Sequence, residues 1–290
     1  SLASGRACIK ALKSKRYKVS SFDPKKKNFN LINKKKIDVI FNALHGKGGE
    51  DGVAQSYFEY LGIPYTHSGV VSSFNSMNKL ISKQIFLKKK ILTPKHFSIN
   101  GHEYKISTLR EIIKKKNIKF PIVVKPVDEG SSLGVNICKN FESLISSSKK
   151  LFKKYDKIIF EKYIPGQEVQ VAIINNKAIG AIELIPKRAF YDYKAKYTKG
   201  AKTKHIMPAR LTKKNYNEVL RISKLAHNAL GCRGVTRSDF KFYNNKFYLL
   251  ELNTQPGMTN LSLVPEIANY CGINFSNLVE QILLDASINR

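Results

Sequence analysis

Two carboxylates, an amide and an arginine form the group of side chains in this sequence best suited to chemistry. One residue separates Arg237 from Asp239, and one residue separates Glu251 from Asn253. Side chains alternate between the two faces of a β-strand, so the members of each pair project from the same face. Carboxylate and amide oxygens are ligands that Mg²⁺ prefers, and Mg²⁺ commonly shares its coordination with nucleotide phosphates. The spacing therefore predicts a magnesium site beside a phosphate-bearing ligand.

A β-hairpin is the element expected to bring these two pairs together. Residues 247–252 are apolar and β-prone, and the sequence Asn-Thr-Gln-Pro-Gly closes them. The turn is predicted at Asn244 and Asn245, after the strand that contains residues 240–243. The alternative is a surface hairpin with scattered polar residues. A solvated glutamate does not need an apolar strand and a Pro-Gly stop around it, which favours the metal site.

A lysine and a glycine-serine loop form a second candidate site. Lys125 ends the apolar strand predicted over residues 120–125, and residues 128–135 follow with two glycines and two serines. Such residues let backbone N–H groups approach an anion closely. The loop alone is a weak signal because many turns have this composition. Its position between a strand lysine and the predicted metal hairpin makes it a candidate phosphate loop.

The carboxylate–arginine–asparagine arrangement resembles the magnesium end of the ATP-grasp ligases. Within them, Asn-Thr-Gln-Pro-Gly-Met-Thr at residues 253–259 and Ser-Leu-Val-Pro at residues 262–265 are similar to motifs of the D-alanine–D-alanine ligases. The resemblance implies an α/β (α+β) ATP-grasp fold with a small amino-terminal parallel α/β domain that lacks its first strand. It implies a substrate domain at residues 1–78, a central ATP-grasp subdomain at residues 79–163, and a carboxy-terminal ATP-grasp subdomain with the metal site and a lid loop at residues 164–290.

The same resemblance assigns roles to individual residues. The metal ligands would be Asp239, Glu251 and Asn253. The ATP-binding residues would be Lys79, Lys125, Ser132, Glu161, Lys162, Tyr163, Ile164, Glu168 and Lys196, with residues 162–164 at the adenine edge and Glu168 at the ribose. The substrate residues would be His45, Glu50 and Ser262, and the catalytic residues Ser131, Tyr197, Arg237 and Gly257. Asn78, beside Lys79, departs from the family's usual aspartate.

The activity implied by the resemblance is the ATP-dependent joining of two D-alanines for peptidoglycan precursor synthesis. One D-alanine carboxylate would attack the γ-phosphate, with two Mg²⁺ or Mn²⁺ ions as cofactors. The amine of the second D-alanine would then attack the acyl phosphate. The lid would carry Lys196 to the phosphates, and Tyr197 would bond to Ser131. The enzyme would be a cytoplasmic homodimer with D-alanine and ATP as partners.

Two alternatives to this activity stay open. One is another ATP-grasp amino-acid ligase, such as a D-alanine–D-lactate or D-alanine–D-serine enzyme, although Tyr197 favours the dipeptide product because the depsipeptide variants change this loop. The other is a non-catalytic basic binding module on a decayed ligase fold. The intact set of Asp239, Glu251 and Asn253 argues against decay. Residues 1–5 resemble the start of the family's first helix, which normally follows a strand and a glutamate, so the chain is expected to be an amino-terminal truncation or to lack that strand.

The composition bounds the class of protein. The 290 residues suit two or three packed lobes, and the formal net charge is +30. Lysines cluster at residues 25–27, 34–36, 88–90 and 114–116, without the arginines or interleaved aromatic residues that nucleic-acid binding would use. We therefore expect a solvated lysine surface and no specific nucleic-acid partner. The sequence contains no run of about 18 apolar residues, so we expect no membrane partner. Four widely spaced cysteines are expected to be free thiols.

Hydrophobic patterns predict the elements that position the sites. Helices are predicted over residues 7–16, 53–61, 78–90 and 215–230. Strands are predicted over residues 17–22, 37–41, 63–65, 120–125, 157–161, 167–174 and 177–183, with the last two joined at Asn175 and Asn176. The alternation of strand, loop and helix near the amino terminus predicts an open parallel sheet.

Overall fold

The computed structural model describes residues 1–186, 203–259 and 261–289. The helices are α1 (Leu2–Ser14), α2 (Val53–Leu61), α3 (Val70–Met77), α4 (Lys79–Lys88), α5 (Ile106–Lys115), α6 (Phe141–Phe152), α7 (Lys213–Ala229), α8 (Leu263–Tyr270) and α9 (Phe275–Leu284), with single 3₁₀ turns at Phe29–Leu31, Lys34–Lys36 and Gly101–Glu103. The strands are β1 (His96–Asn100), β2 (Ile122–Pro126), β3 (Asn136–Cys138), β4 (Lys157–Lys162), β5 (Gln167–Ile174), β6 (Lys177–Ile185), β7 (Lys204–Ile206), β8 (Val235–Tyr243) and β9 (Lys246–Asn253).

A four-stranded antiparallel sheet forms the centre of the chain, in the order β1-β4-β2-β3. Helices α5 and α6 cover one of its faces. Leu109 of α5 and Leu144 of α6 pack with Ile122 and Phe160 of the sheet, and all four side chains are fully buried. Val123, Lys125 and Glu161 on the opposite face line the pocket described below.

A five-stranded antiparallel sheet follows, in the order β7-β6-β5-β8-β9. Its central strand β5 is buried on both faces, which explains its unbroken apolar sequence. Val171 packs with α7 on one side, and Ala172 packs with α8, α9 and α1 on the other. The two hairpins of this sheet turn at Asn175–Asn176 and Asn244–Asn245, where all four asparagines have positive φ angles between 48° and 61°. Both predicted turns are therefore confirmed.

The amino-terminal strand predictions are wrong in detail. Residues 17–22 form no strand, and the predicted strands at 37–41 and 63–65 meet only in one parallel bridge between Ile40 and Tyr65. Tyr65 also forms an antiparallel bridge with Ser287. The apolar side chains of this region, such as Val19 and Val39, instead pack against the core around α1, α8 and α9. Side-chain packing buries them in part, without the continuous hydrogen-bonded ladder that a strand requires.

Helix α2 has the predicted bounds. Gly62 follows it as the C-cap residue in a left-handed conformation, with φ of 60°. Helix α1 begins five residues earlier than predicted.

All four lysine runs are exposed at loops or helix ends, as expected. Cys8, Cys138, Cys232 and Cys271 are free thiols, as predicted. Within the described residues, we find no helix with the length and apolarity needed to span a bilayer.

Candidate active site

The β8–β9 hairpin brings the two predicted polar pairs together. The register sets Asp239 opposite Glu251 and Arg237 opposite Asn253, so the four side chains occupy one face of the hairpin. Arg237 holds Asp239 with two hydrogen bonds, from Nε to Oδ1 at 2.7 Å and from Nη2 to Oδ2 at 2.9 Å. The backbone N–H of Gln255 donates to Oδ1 of Asn253 at 2.8 Å. Arg237 thus orients the Asp239 side chain, and the backbone of Gln255 orients the Asn253 side chain.

The donor chemistry of this hairpin fits a hard cation such as Mg²⁺. Two carboxylates and one amide supply only oxygen, and each Asp239 oxygen keeps a lone pair beyond the one used by Arg237. Among the described residues no group of three His, Cys, Asp or Glu side chains could enclose a metal. A cation held here would complete its coordination with oxygens from a ligand, as Mg²⁺ does with phosphates.

A pocket between the two sheets adjoins this hairpin. Its wall contains most of the residues predicted for ATP and metal: Lys79, Lys125, Ser132, Glu161, Lys162, Tyr163, Ile164, Glu168, Asp239 and Glu251. Apolar side chains such as Val123 and Leu250 complete the wall. The pocket therefore combines an apolar slot, suited to a flat ring, with a charged end near the hairpin carboxylates.

Three buried lysines surround one buried glutamate at the charged end. Glu161 forms ion pairs with Lys125 at 3.0 Å and with Lys83 at 3.1 Å. Burial alone would raise the pKa of Glu161, but the two lysines outweigh it and bring the pKa to about 2. Burial lowers the pKa of Lys83 to about 8 and lowers the pKa of Lys79. Lys79 donates to the backbone carbonyl of Glu129, in the glycine-serine loop.

Helix α4 presents two of these lysines because they lie on its buried face. Lys79, Ser82, Lys83 and Phe86 are its buried residues and follow the i, i+3, i+4, i+7 pattern of one helix face. The side chain of Asn78 caps the helix by accepting from the backbone N–H groups of residues 80 and 81. The asparagine that departs from the family pattern thus performs the capping role open to an aspartate.

The segment predicted to bind adenine ends strand β4. The backbone N–H groups of Lys162 and Tyr163 donate to the carbonyl oxygens of Lys95 at 2.8 Å and Pro121 at 3.2 Å. Both donors are therefore engaged within the protein, so a base at this edge would use the other backbone groups of residues 162–164. Glu168, predicted for the ribose, lies on the pocket wall and forms an ion pair with Lys241 at 3.0 Å.

The glycine-serine loop bends sharply over the pocket. Ser131, Ser132 and Gly134 have positive φ angles of 52°, 59° and 72°. A Cβ added to Gly134 would lie 2.9 Å from the ring of Pro126, so glycine is required there. Ser132 lines the pocket, whereas Ser131 is exposed beside it. The predicted roles of the two serines thus correspond to different sides of the loop.

His45 lies in a loop that contacts the end of the hairpin. Its Nδ1 donates to the backbone carbonyl of Gln255 at 3.1 Å, because a carbonyl can only accept. Burial lowers the pKa of His45 to about 4, so the ring is neutral at pH 7 and its Nε2 accepts from the hydroxyl of Ser4 at 3.1 Å. The contact orients the imidazole toward the region between the loop and residues 253–258.

Glu50 ends the same loop and accepts a hydrogen bond from the backbone N–H of Gly46 at 2.9 Å. Burial raises the pKa of Glu50 to about 7, and the charge of Glu251 adds to this rise, while Gly46, Arg237 and Lys79 oppose it. A Cβ added to Gly130 would lie 3.2 Å from Oε1 of Glu50, so the carboxyl group reaches the phosphate loop. Glu50 therefore titrates near neutral pH at the junction of the two predicted sites.

This titration predicts a pH-dependent stability difference between the wild type and Glu50→Gln. The pKa of about 7 in the folded protein exceeds the ordinary glutamate pKa of 4.5, so the folded state keeps a proton that the unfolded chain releases. The wild-type free energy of unfolding should therefore fall relative to the variant as the pH rises from about 5 to about 8, by about 2–3 kcal/mol. Denaturant unfolding without ligands, at several pH values, measures the difference. The exposed Glu111→Gln variant is the control, and parallel curves for wild type and Glu50→Gln would contradict the assignment.

Gly257 and Ser262 lie at the amino-terminal end of α8. A Cβ on Gly257 would come within 2.9 Å of Oγ of Ser262, so glycine leaves room for that hydroxyl. The hydroxyl accepts from the backbone N–H of Thr259 at 3.0 Å. Ser262 is also the N-cap residue of α8, where a helix carries partial positive charge. Lys196 and Tyr197, predicted for the lid, lie outside the described residues.

The sequence interpretation missed several buried polar residues that join these elements. Gln255 is 1% exposed, and its side chain accepts from Nδ2 of Asn42 at 3.0 Å and donates to the carbonyl of Leu44. Nε2 of Gln55 also donates to Oε1 of Gln255, at 3.5 Å. Lys83 was also missed, although its helical spacing from Lys79 put it on the buried face. The spacing was a usable signal for Lys83, whereas the amide contacts of Gln255 join residues 200 or more positions apart.

Similarity to known proteins agrees with this geometry. A sequence profile described as D-ala D-ala ligase N-terminus matches residues 20–68, and one described as D-ala D-ala ligase C-terminus matches residues 88–284. The D-alanine–D-alanine ligase of Pelagibacter ubique is 54% identical over 290 residues, which cover 100% of this chain and 94% of that protein. The protein of the same name from Geotalea uraniireducens is 43% identical, with 99% and 91% covered.

Solved structures of such ligases have the same fold. The D-alanine–D-alanine ligase from Bacillus anthracis complexed with ATP has a TM-score of 0.82 and 30% identity, covering 98% of this chain and 91% of that chain. The ligase from Coxiella burnetii has a TM-score of 0.75 and 26% identity, covering 86% and 67%. The predicted ATP-grasp fold class is thereby confirmed. With both profiles, these relatives and the arrangement of pocket and hairpin in agreement, the chain belongs to the D-alanine–D-alanine ligase family.

Proposed function

We propose that the protein joins two D-alanine molecules to D-alanyl-D-alanine in an ATP-dependent reaction that passes through an acyl phosphate. The observation that carries the proposal is the pocket in which Lys79, Lys125 and Glu161 lie beside Asp239 and Glu251. Such a pocket combines cations for a triphosphate with carboxylates for its metal ions. The product would serve peptidoglycan precursor synthesis, as the resemblance to this family implies.

In the first step, a D-alanine carboxylate attacks the γ-phosphorus and ADP leaves. Lys79 and Lys125 are the chain's own cations at the charged end of the pocket, and they oppose the charge on the transferring phosphoryl group. The glycine-serine loop with Ser132 covers the phosphates. Residues 162–164 and Glu168 hold the adenosine. Activation by phosphate converts the carboxylate oxygen into a good leaving group, which amide formation requires.

In the second step, the amine of the other D-alanine attacks the acyl carbon and inorganic phosphate leaves. Arg237 and the backbone N–H of Gly257 stabilise the tetrahedral oxyanion. Ser262, at the amino-terminal end of α8, binds the carboxylate of the second substrate. His45 and Glu50 flank the first D-alanine. The resemblance would add a hydrogen bond between Ser131 and Tyr197 at the substrate and a water-excluding lid with Lys196 and Tyr197, two residues outside the described part of the chain.

Asp239, Glu251 and Asn253 would hold the divalent cations, two Mg²⁺ or Mn²⁺, through their oxygens. When bound, these ions supply positive charge that offsets the negative charge of the phosphates.

The division into residues 1–78, 79–163 and 164–290 is part of the proposal. So are a cytoplasmic location and a homodimer, for which the exposed apolar residues Val53, Val71 and Phe74 on α2 and α3 offer a surface. Sedimentation velocity tests the dimer, and a monomer at all concentrations would exclude it.

The proposal predicts that phosphate release from ATP requires both D-alanine and Mg²⁺. L-alanine should be a poor substitute, because a site that fixes the ammonium, carboxylate and methyl groups of one enantiomer misplaces the other. The measurement compares phosphate release with D-alanine, L-alanine, D-lactate as second substrate, and no amino acid. Equal rates with both alanine enantiomers would exclude the proposal, and faster turnover with D-lactate would reassign the second substrate.

A further inference from the structure

Lys83 is a fully buried lysine that does not line the nucleotide pocket. It lies one helical turn after Lys79 on α4, and its side chain has 0% exposure. Its Nζ meets Oε1 of Glu161 at 3.1 Å and the backbone carbonyl of Leu250 at 3.4 Å. It therefore joins α4 to β4 of the central sheet and to β9 of the metal hairpin. Burying an ammonium group is costly unless it is paired, so packing alone does not explain a lysine at position 83.

Glu161 carries the contact from Lys83 onward to the pocket. Its second carboxylate oxygen pairs with Nζ of Lys125 at 3.0 Å, and Lys125 and Glu161 both line the pocket. One carboxylate with one lysine would be electrically neutral toward an anionic ligand. With Lys83 added, two lysines share one carboxylate and the cluster keeps one net positive charge. The Glu161 carboxylate also fixes the position of Lys125, because Lys83 holds the other oxygen of that carboxylate.

We propose that Lys83 is a positioning residue for the nucleotide: it anchors the Glu161 carboxylate that holds Lys125, and it leaves the Lys83–Glu161–Lys125 cluster with a net positive charge toward the phosphates. The inference rests on the proposed function only in taking a nucleoside triphosphate as the ligand of the pocket. A positioning role and a purely structural role for Lys83 predict different effects of its replacement. A structural pair would affect stability alone, whereas a positioning residue affects nucleotide affinity more than amino-acid affinity.

The experiment compares Lys83→Met, Lys83→Arg and the exposed control Lys88→Met on the same helix. Steady-state kinetics give KM for ATP, KM for D-alanine and kcat, and calorimetry without D-alanine gives the Kd for ATP. We expect Lys83→Met to raise the KM and Kd for ATP about tenfold or more, because it removes one partner of a buried charge pair. The KM for D-alanine should change by less than about threefold. Lys83→Arg should recover part of the ATP affinity, and Lys88→Met should match the wild type.

A double-mutant cycle tests whether Lys83 acts through Glu161. The variants are Lys83→Met, Glu161→Gln and the combination, all checked for a folded state by circular dichroism. If Lys83 anchors Glu161, replacing Lys83 costs clearly less ATP affinity in the Glu161→Gln background than in the wild type, because only its charge is then lost. Independent, additive losses would overturn the proposal. So would a Lys83→Met variant with lower thermal stability but wild-type affinity for ATP.

The outcome separates this inference from the proposed function. A wild-type protein that binds ATP but releases no phosphate with D-alanine would exclude the ligase activity, while the calorimetric comparison of the Lys83 variants would still decide the role of Lys83. A wild-type protein that binds no ATP would overturn the assignment of Lys83 itself.

Discussion

Glu251→Gln is expected to lower kcat for phosphate release by about 10²- to 10³-fold while the fold is retained. The loss corresponds to about 3–4 kcal/mol of transition-state stabilisation. Glu251 lies opposite Asp239 on the hairpin and lines the nucleotide pocket. The amide has the same shape as the carboxylate but no charge, so it would hold a divalent cation weakly and leave the phosphoryl charge less well compensated. Little packing is lost, so the melting temperature should stay close to that of the wild type.

The control for Glu251→Gln is Glu218→Gln on the exposed face of α7, where the glutamate pairs with Arg221. An exposed pair of this kind contributes little, so the control should keep its activity. Rates are measured over a range of Mg²⁺ concentrations, because a weakened metal ligand shifts the Mg²⁺ dependence upward. A Glu251→Gln variant with wild-type kcat at saturating Mg²⁺ would show that Glu251 is not a ligand.

Gln255→Leu is expected to lower the free energy of unfolding by about 3 kcal/mol and to weaken the binding of the first D-alanine. Leucine has a similar volume but can neither accept from Asn42 nor donate to the carbonyl of Leu44. The remaining buried groups would lose their hydrogen bonds, at about 1–3 kcal/mol for each unsatisfied group. The loop that carries His45 would then lose its hydrogen bonds to the Gln255 side chain, although His45 itself keeps its contact with the Gln255 carbonyl. The KM for D-alanine should therefore rise more than the KM for ATP.

The exposed Gln84→Leu variant on α4 is the matched control, with an expected change within about 0.5 kcal/mol. Denaturant unfolding gives the stability of each variant, and initial rates over a range of D-alanine concentrations give the KM. A Gln255→Leu protein as stable as the wild type would mean that the loop is held by its other contacts. An equal rise in the KM for both substrates would contradict the specific link to His45.

The carboxy-terminal half was predictable because its signals are local. The Asn-Asn turns, the two-residue spacing of Arg237 and Asp239, and the apolar run of β5 depend on neighbours in sequence. They fixed both hairpins and the face on which Glu251 and Asn253 lie. The amino-terminal region was predicted less well. The sequences at 17–22 and 37–41 have the apolar character of strands, but a strand also needs a partner ladder, and only Ile40 finds one, in a single bridge.

Motif residues at fixed spacing were sufficient to identify the family, the β8–β9 hairpin and most of the residues on the pocket wall. The pairing of buried charges and amides could be seen only in the folded chain. Glu161 joins Lys83 to Lys125, and Gln255 joins the loop of His45 to the metal hairpin. These contacts link residues 36 to more than 200 positions apart, and their strength depends on burial, which no local pattern specifies. Burial raises both the cost of an unpaired polar group and the strength of its hydrogen bonds, so tertiary packing determines which polar residues support the site.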